Sequence, residues 1–349
     1  MAVKMHNRAP GKQFVRTYSI LMVLWIGFIF WNSLHSGAES AQSSNFVLEW
    51  LRKIPFLTGL DGTLVRKGAH FTEFAMLGAL AAGSVPAATF AKPLFCALLT
   101  AVSDETIQLF VEGRSSAVRD VWIDFAGALL GVLLYRLIFW REPEQRNPRI
   151  GRRFFLPLLL AGCCMAFIWG QSLQDAQTSN EVSGTVMHVV QNWTAANAGK
   201  TLPVTQHLIR KSAHFTEFFA LGVCLYLLFP RRIPGGFWMR LFLGLLLPCS
   251  DEALQLMVNG RSSRVPDVWI DFSGAVCGML LAAAGLWLWA RRKRNENLET
   301  DPSDPGGHTA DRYGNRGCMA EEYTRSAEIR CHDGSGENPD GNSGNCAQA

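Results

Sequence analysis

Charged side chains are scarce in this chain: Asp, Glu, Lys and Arg make up only 18% of its 349 residues, against about 25% in ordinary soluble domains. Together with 48% apolar residues and a positive mean hydropathy, that shortage argues against a soluble globular protein. The net charge is only +4 and its basic residues gather at the ends of apolar runs, so no nucleic-acid partner is indicated. There is no Gly-rich phosphate loop, no Walker motif and no nucleophile elbow, which removes the common nucleotide-dependent and serine-hydrolase readings. A disulfide framework is missing too. Of nine cysteines, Cys96, Cys163, Cys164, Cys224, Cys249 and Cys277 lie in apolar runs, where a free thiol acts as a small hydrophobe. Cys318, Cys331 and Cys346 are scattered through a polar tail without zinc-motif spacing. No small-residue cleavage site follows the first apolar run, so Lys4, Arg8, Lys12 and Arg16 are expected to precede a retained helix rather than a signal peptide.

What is present is apolar sequence in membrane-sized blocks. Eight runs can be drawn: Tyr18 to Leu34, Lys67 to Val85, Pro93 to Val111, Val118 to Trp140, Phe154 to Leu173, Ser212 to Phe229, Met239 to Val258 and Val268 to Ala290. Each is about the 17 to 25 residues that cross a bilayer as a helix. The expected fold class is an all-α integral membrane protein of about eight transmembrane helices, arranged as two parallel four-helix repeats. The expected division is a cytoplasmic arm over 1–17, repeat 1 over 18–145, repeat 2 over 146–294 and a disordered cytoplasmic tail over 295–349. Basic residues set the orientation. The N-terminal arm, the Arg141, Arg146, Arg149, Arg152 and Arg153 loop, the Arg231, Arg232 and Arg240 loop and the Arg291 to Arg294 cluster share one side if both termini are cytoplasmic. The opposite loops, Ser36 to Ser44 and Gln171 to Thr185, are polar. Trp31, Trp122, Trp169 and Trp269 on the outside, and Trp140, Trp238, Trp287 and Trp289 on the inside, suit interfacial belts.

The few charges inside the runs are duplicated. RKGAHFTEFAMLG (Arg66 to Gly78) returns as RKSAHFTEFFALG (Arg210 to Gly222), and the block from Ser103 to Leu134 returns from Ser250 to Leu281, with 10 of 13 and 22 of 32 positions identical. A charge near the centre of a bilayer costs about 2.5–3.5 kcal/mol on insertion, so a set kept twice asks for a reason. Four spans per copy is an even number, so both copies face the same way, and the charged positions map to the outer half. His70 and His214 are the candidate acid/base groups, with Glu73, Asp104, Asp120, Glu217, Asp251 and Asp267 as carboxylate partners. Lys67, Arg114, Lys211 and Arg261 are candidate contacts for a phosphate or carboxylate, and Gln108, Asp124, Gln255 and Asp271 complete the ligand-binding set. The structural alternative pairs Lys67 with Glu73 and Arg114 with Asp120, as ionic glue between helices. Ser115, Ser116, Ser262 and Ser263 read as caps for the following helix. Gly127 and Gly131, like Gly274 and Gly278, are small-xxx-small pairs that let helices approach, and they turn Asp124 and Asp271 into the bundle. His70, Glu73, Asp104 and Asp120 offer zinc or manganese ligands, but one histidine per copy is thin support, and neither a metal nor a cofactor is assigned.

K-x-x-H-F-x-E-F, then D-E-x-x-Q, then R-S-S with D-x-x-x-D-x-x-G, in that order and twice, resembles the VanZ-like membrane proteins across most of residues 18 to 290. The resemblance implies a tandem, or fused pseudo-dimer, of a domain more often found singly. It also implies a bacterial cytoplasmic-membrane location, an envelope role, and resistance to the glycopeptide teicoplanin, with a membrane lipid or lipid-linked cell-wall precursor as partner. Two other functions stay open: a hydrolase or transferase on a lipid-linked phosphate using His70 or His214, and a two-half transporter.

Overall fold

The computed structural model describes residues 12–54, 59–86, 89–139, 152–198, 203–230 and 233–299. Lys4, Arg8, Trp140, Arg141, Arg146, Arg149, Arg231, Arg232 and the tail beyond residue 299, with its three cysteines, lie outside the described residues. Those that are described form ten helices and no strand: α1 (Lys12–Ser33), α2 (Gly37–Leu51), α3 (Gly62–Gly83), α4 (Ala91–Gln108), α5 (Val118–Ile138), α6 (Arg152–Ser172), α7 (Ala176–Ala198), α8 (Gln206–Leu228), α9 (Gly236–Gln255) and α10 (Val265–Glu299). The chain divides into two units, 1–288 and 289–349. In the second, the described stretch is helical, with Lys293 over the Trp289 ring and Arg292 paired to Glu296 at 2.9 Å.

Each of the eight apolar runs falls on a helix. By length and apolar content alone, α1, α5, α6 over Phe154–Ser172 and α10 over Val265–Glu296 are able to cross a membrane. The helices that hold the other four apolar runs each carry three charges: Arg66, Lys67 and Glu73; Lys92, Asp104 and Glu105; Arg210, Lys211 and Glu217; Arg240, Asp251 and Glu252. The residues that lower their hydropathy are mostly those of the duplicated pattern.

Two helices stand where polar loops were expected. Ser36 starts α2 with a reciprocal capping box: its hydroxyl accepts the Glu39 N–H at 3.3 Å, and the Glu39 carboxylate accepts the Ser36 N–H at 2.9 Å. Asp175 does similar work at α7, its carboxylate accepting the Thr178 N–H at 2.7 Å.

Packing is closest between α3 and α5. Ideal Cβ atoms at Gly78, Gly127 and Gly131 would lie 2.0, 2.2 and 1.8 Å from the carbonyl oxygens of Ala128, Phe71 and Ala75. Gly222, Gly274 and Gly278 do the same between α8 and α10. One apolar core joins α1, α3, α4 and α5 to Phe242, Leu245 and Cys249 of α9 and to Val265 and Val268 of α10. A second collects α6, α8 and the middle of α10 around Phe218, Leu221 and Ile168. Trp122 and Trp269 are half-buried and bond between helices: Trp122 Nε1 donates to the Cys249 carbonyl at 3.3 Å, and Trp269 Nε1 to Thr106 Oγ1 at 2.8 Å.

Candidate functional site

The α3–α5 contact places the duplicated polar residues side by side. Lys67 on α3 meets Asp120 in the first turn of α5, with Nζ 2.7 Å from Oδ1; Lys211 meets Asp267 at 2.8 Å. This differs from the pairing of Lys67 with Glu73 expected of an ionic network. Glu73 instead faces α1, where Asn32 Nδ2 donates to its Oε1 at 3.0 Å and Trp25 Nε1 donates to its backbone carbonyl at 2.9 Å.

Arg114 does not pair with Asp120 either. It folds back on the end of α1, donating from Nε to the His35 carbonyl at 3.1 Å and from Nη2 to the Asn32 carbonyl at 3.2 Å. Arg261 closes α6 in the same way through the Gln171 carbonyl at 2.9 Å. Cations at a helix C-terminus satisfy carbonyls that lack partners within the helix. Burial lowers the pKa of both guanidiniums, yet arginine ionises so far above neutrality that both remain charged.

The serines after these arginines are not caps. Ala117 is the N-cap residue of α5 and its methyl side chain supplies no capping acceptor; its N–H donates to Glu105 of α4 at 2.9 Å. Glu252 takes the Arg264 N–H at 2.8 Å in the second copy. These two carboxylates tie the turn to the preceding helix. Sequence reading passed over them as site residues, although they stand beside Asp104 and Asp251. The turn also needs glycine: Gly113 and Gly260 have φ of 73° and 77°, and the Gly113 carbonyl lies where a Cβ on Gly37 would come within 2.1 Å.

Asp104 and Gln108, one turn apart on α4, are fully buried and 5% exposed, and Gln108 Nε2 donates to Asp104 Oδ2 at 2.9 Å. Gln255 and Asp251 repeat the contact at 3.1 Å. Asp124 and Asp271 are each 2% exposed and point into the bundle. One ring nitrogen of His70 and one oxygen each of Asp104 and Asp124 lie within 4.8 Å of one another, as do those of His214, Asp251 and Asp271. The potential ligand set for a cation is therefore not the four residues His70, Glu73, Asp104 and Asp120, because Asp124 takes the place of Glu73 and Asp120.

Above each cluster is a cavity. The first, of about 190 Å³, is lined among others by Arg66, Lys67, His70, Arg114, Asp120 and Asp124. The second, of about 130 Å³, is lined by Arg210, Lys211, His214, Arg261, Asp267 and Asp271 among others. Glu73 and Glu217 do not reach these cavities, and Asp104 and Asp251 sit behind the lining residues. Arg66 and Arg210 do line them, unsingled by sequence reasoning although they adjoin the lysines in the duplicated motif. A larger groove of about 520 Å³ runs from Arg66 and His70 along α2, past Val47, Leu51, Leu60 and Leu64.

A family model described as VanZ/LLP1 matches residues 18–139 and again residues 155–288, one match for each copy of the charged pattern. No curated protein and no solved structure matches the chain.

Proposed function

The chain belongs to the VanZ/LLP1 family, in tandem, and on that premise we propose that each half is an anion-binding site for a membrane lipid or lipid-linked cell-wall precursor, opening to the envelope side of a bacterial cytoplasmic membrane. The observation that carries the reading is the continuity of charge and grease in the first half, where Arg66 and His70 line both the charged cavity and the groove along α2. An anionic head group in the cavity and the start of its hydrocarbon chain in the groove would satisfy both. Three cationic side chains at one cavity, Arg66, Lys67 and Arg114, favour phosphate or carboxylate.

In this reading the eight helices that hold the apolar runs span the membrane as two four-helix repeats of the same orientation, with both termini cytoplasmic. Helices α2 and α7 then lie on the outer surface. Their exposed apolar residues support that placement: Phe46, Val47 and Trp50 on α2, and Val182, Val186, Val189 and Trp193 at helical spacing on α7. Teicoplanin resistance would follow if the occupant is the precursor that the drug must reach.

A catalytic version of the same site has one observation in its favour, the closeness of His70 to Asp104 and Asp124. Native mass spectrometry of the purified protein with anionic and zwitterionic lipids tests the binding claim. Retention of anionic lipid or polyprenyl phosphate, lost on Arg66→Ala with Arg210→Ala, is expected. Equal retention of both lipid classes would sink it. Unchanged teicoplanin susceptibility in cells with verified expression would retire the resistance part alone.

A further inference from the structure

Below the cationic rim of each cavity lies a set of nitrogen and carboxylate donors. His70, Asp104 and Asp124 come from three separate helices, α3, α4 and α5, and so do His214, Asp251 and Asp271 from α8, α9 and α10. The four aspartates are at most 2% exposed. Among the described residues, Asp124 Oδ2 and Asp271 Oδ2 have no hydrogen-bond partner, and neither do Asp104 Oδ1, Asp251 Oδ1 or Nδ1 of either histidine. Lys67 and Lys211 are engaged on Asp120 and Asp267, and Arg114 and Arg261 on helix-end carbonyls. In the second half His214 Nδ1 stands 3.9 Å from Asp251 Oδ2, a pairing that is ionic only when the ring is protonated; two buried carboxylates this close are costly to keep ionised.

We propose that each half binds one divalent transition ion of the zinc or manganese class, held by a histidine ring nitrogen and one oxygen from each of two aspartates. Nitrogen and carboxylate ligands of that mix suit these ions rather than calcium or magnesium, which take oxygen. Ligand atoms bonded at about 2.0–2.2 Å stand about 3–4 Å from one another, so a set already within 4.8 Å closes by small side-chain rotations. Gln108 and Gln255 donate to the other oxygens of Asp104 and Asp251, as outer partners do for metal ligands. His70 and Asp124, and His214 and Asp271, also line the cavities, so three protein ligands leave positions open towards them for water or an anionic oxygen. The ion adds to the site proposed above and does not rest on which lipid that site receives.

The test strips the purified full-length protein with a chelator, dialyses it against Zn²⁺ or Mn²⁺ and counts bound metal by mass spectrometry alongside Tm. About two ions per chain and a raised Tm are expected. Asp124→Asn and Asp271→Asn should each lose about one ion, and the double variant both. Wild-type protein that retains essentially no ion overturns the proposal, as does a double variant that retains two, since those ions would sit elsewhere. Cobalt loading of the wild type needs no variant to fold: a visible absorption band of mixed nitrogen–oxygen ligation supports the site, and the spectrum of hydrated cobalt overturns it. Anionic-lipid retention measured on the same samples separates the two claims. Lipid without metal retires the ion alone, and metal without lipid retires the lipid reading alone.

Discussion

Lys67 and Asp120 show how a charge can serve as both site and glue. Each side chain of the pair is 28% exposed, and the contact is 2.7 Å, so removing Lys67 strands a half-buried carboxylate. Lys67→Met should cost about 1–2 kcal/mol in unfolding, and adding Asp120→Leu should restore most of it, because a buried ion pair is often replaceable by apolar packing. Anionic-lipid retention by the first half should stay lost in the double variant. Restored lipid retention together with restored stability would make the pair glue only. Which residues carry the pattern was legible from its duplication, but their partners were not. Each three-residue step turns a helix by about 300°, so Glu73 lies about 120° round α3 from Lys67. The actual partner arrives from α5, 53 residues along the chain, and local spacing cannot foresee that. Asp124 was marked for the bundle interior by its neighbouring glycines, which is why its burial was readable while its meeting with His70 and Asp104 was not.

Among the helices, the α3–α5 contact is the one least able to tolerate change. Gly131→Ala would drive a Cβ to 1.8 Å from the Ala75 carbonyl. We expect a loss of about 2–4 kcal/mol or failure to accumulate in the membrane, while Gly162→Ala, with open space at its Cβ, should be silent in the same assay. At α2 the expected effect is one of pH. Backbone and side-chain hydrogen bonds from Ser36 hold the Glu39 pKa below its ordinary 4.5. The carboxylate therefore favours the folded helix above that value, and the contribution fades as pH falls through the lowered one. Hydrogen exchange within α2 should be steady from neutrality down to about pH 5 once corrected for intrinsic rates, and protection should drop at lower pH. Glu39→Gln should flatten the profile. The eight helices that hold the apolar runs were readable because apolar blocks of bilayer length are a strong signal. Helices α2 and α7 were not, because Ser, Thr, Asn and Gln interrupt their apolar residues. The capping box from Ser36 to Glu39 was the available sign, outweighed by composition.

Across the whole molecule, the two matched segments meet through α4, α5 and α9. Trp122 bonds to the Cys249 carbonyl and Trp269 to Thr106, so equivalent tryptophans of the two copies each reach into the other half. Duplication told that there were two halves. The tertiary bonds that join them depend on which faces remain free after α3 and α5 have packed, and hydropathy does not encode that. With the halves joined in this way, the proposed topology has both charged cavities open to the same, external side. Ser115 and Ser262 each line one of the cavities. Ser115→Cys and Ser262→Cys, made singly and exposed in intact cells to a membrane-impermeant thiol reagent, test that claim most directly. Labelling of both without permeabilisation is the expected result, and labelling of either one only after the membrane is opened would contradict the account.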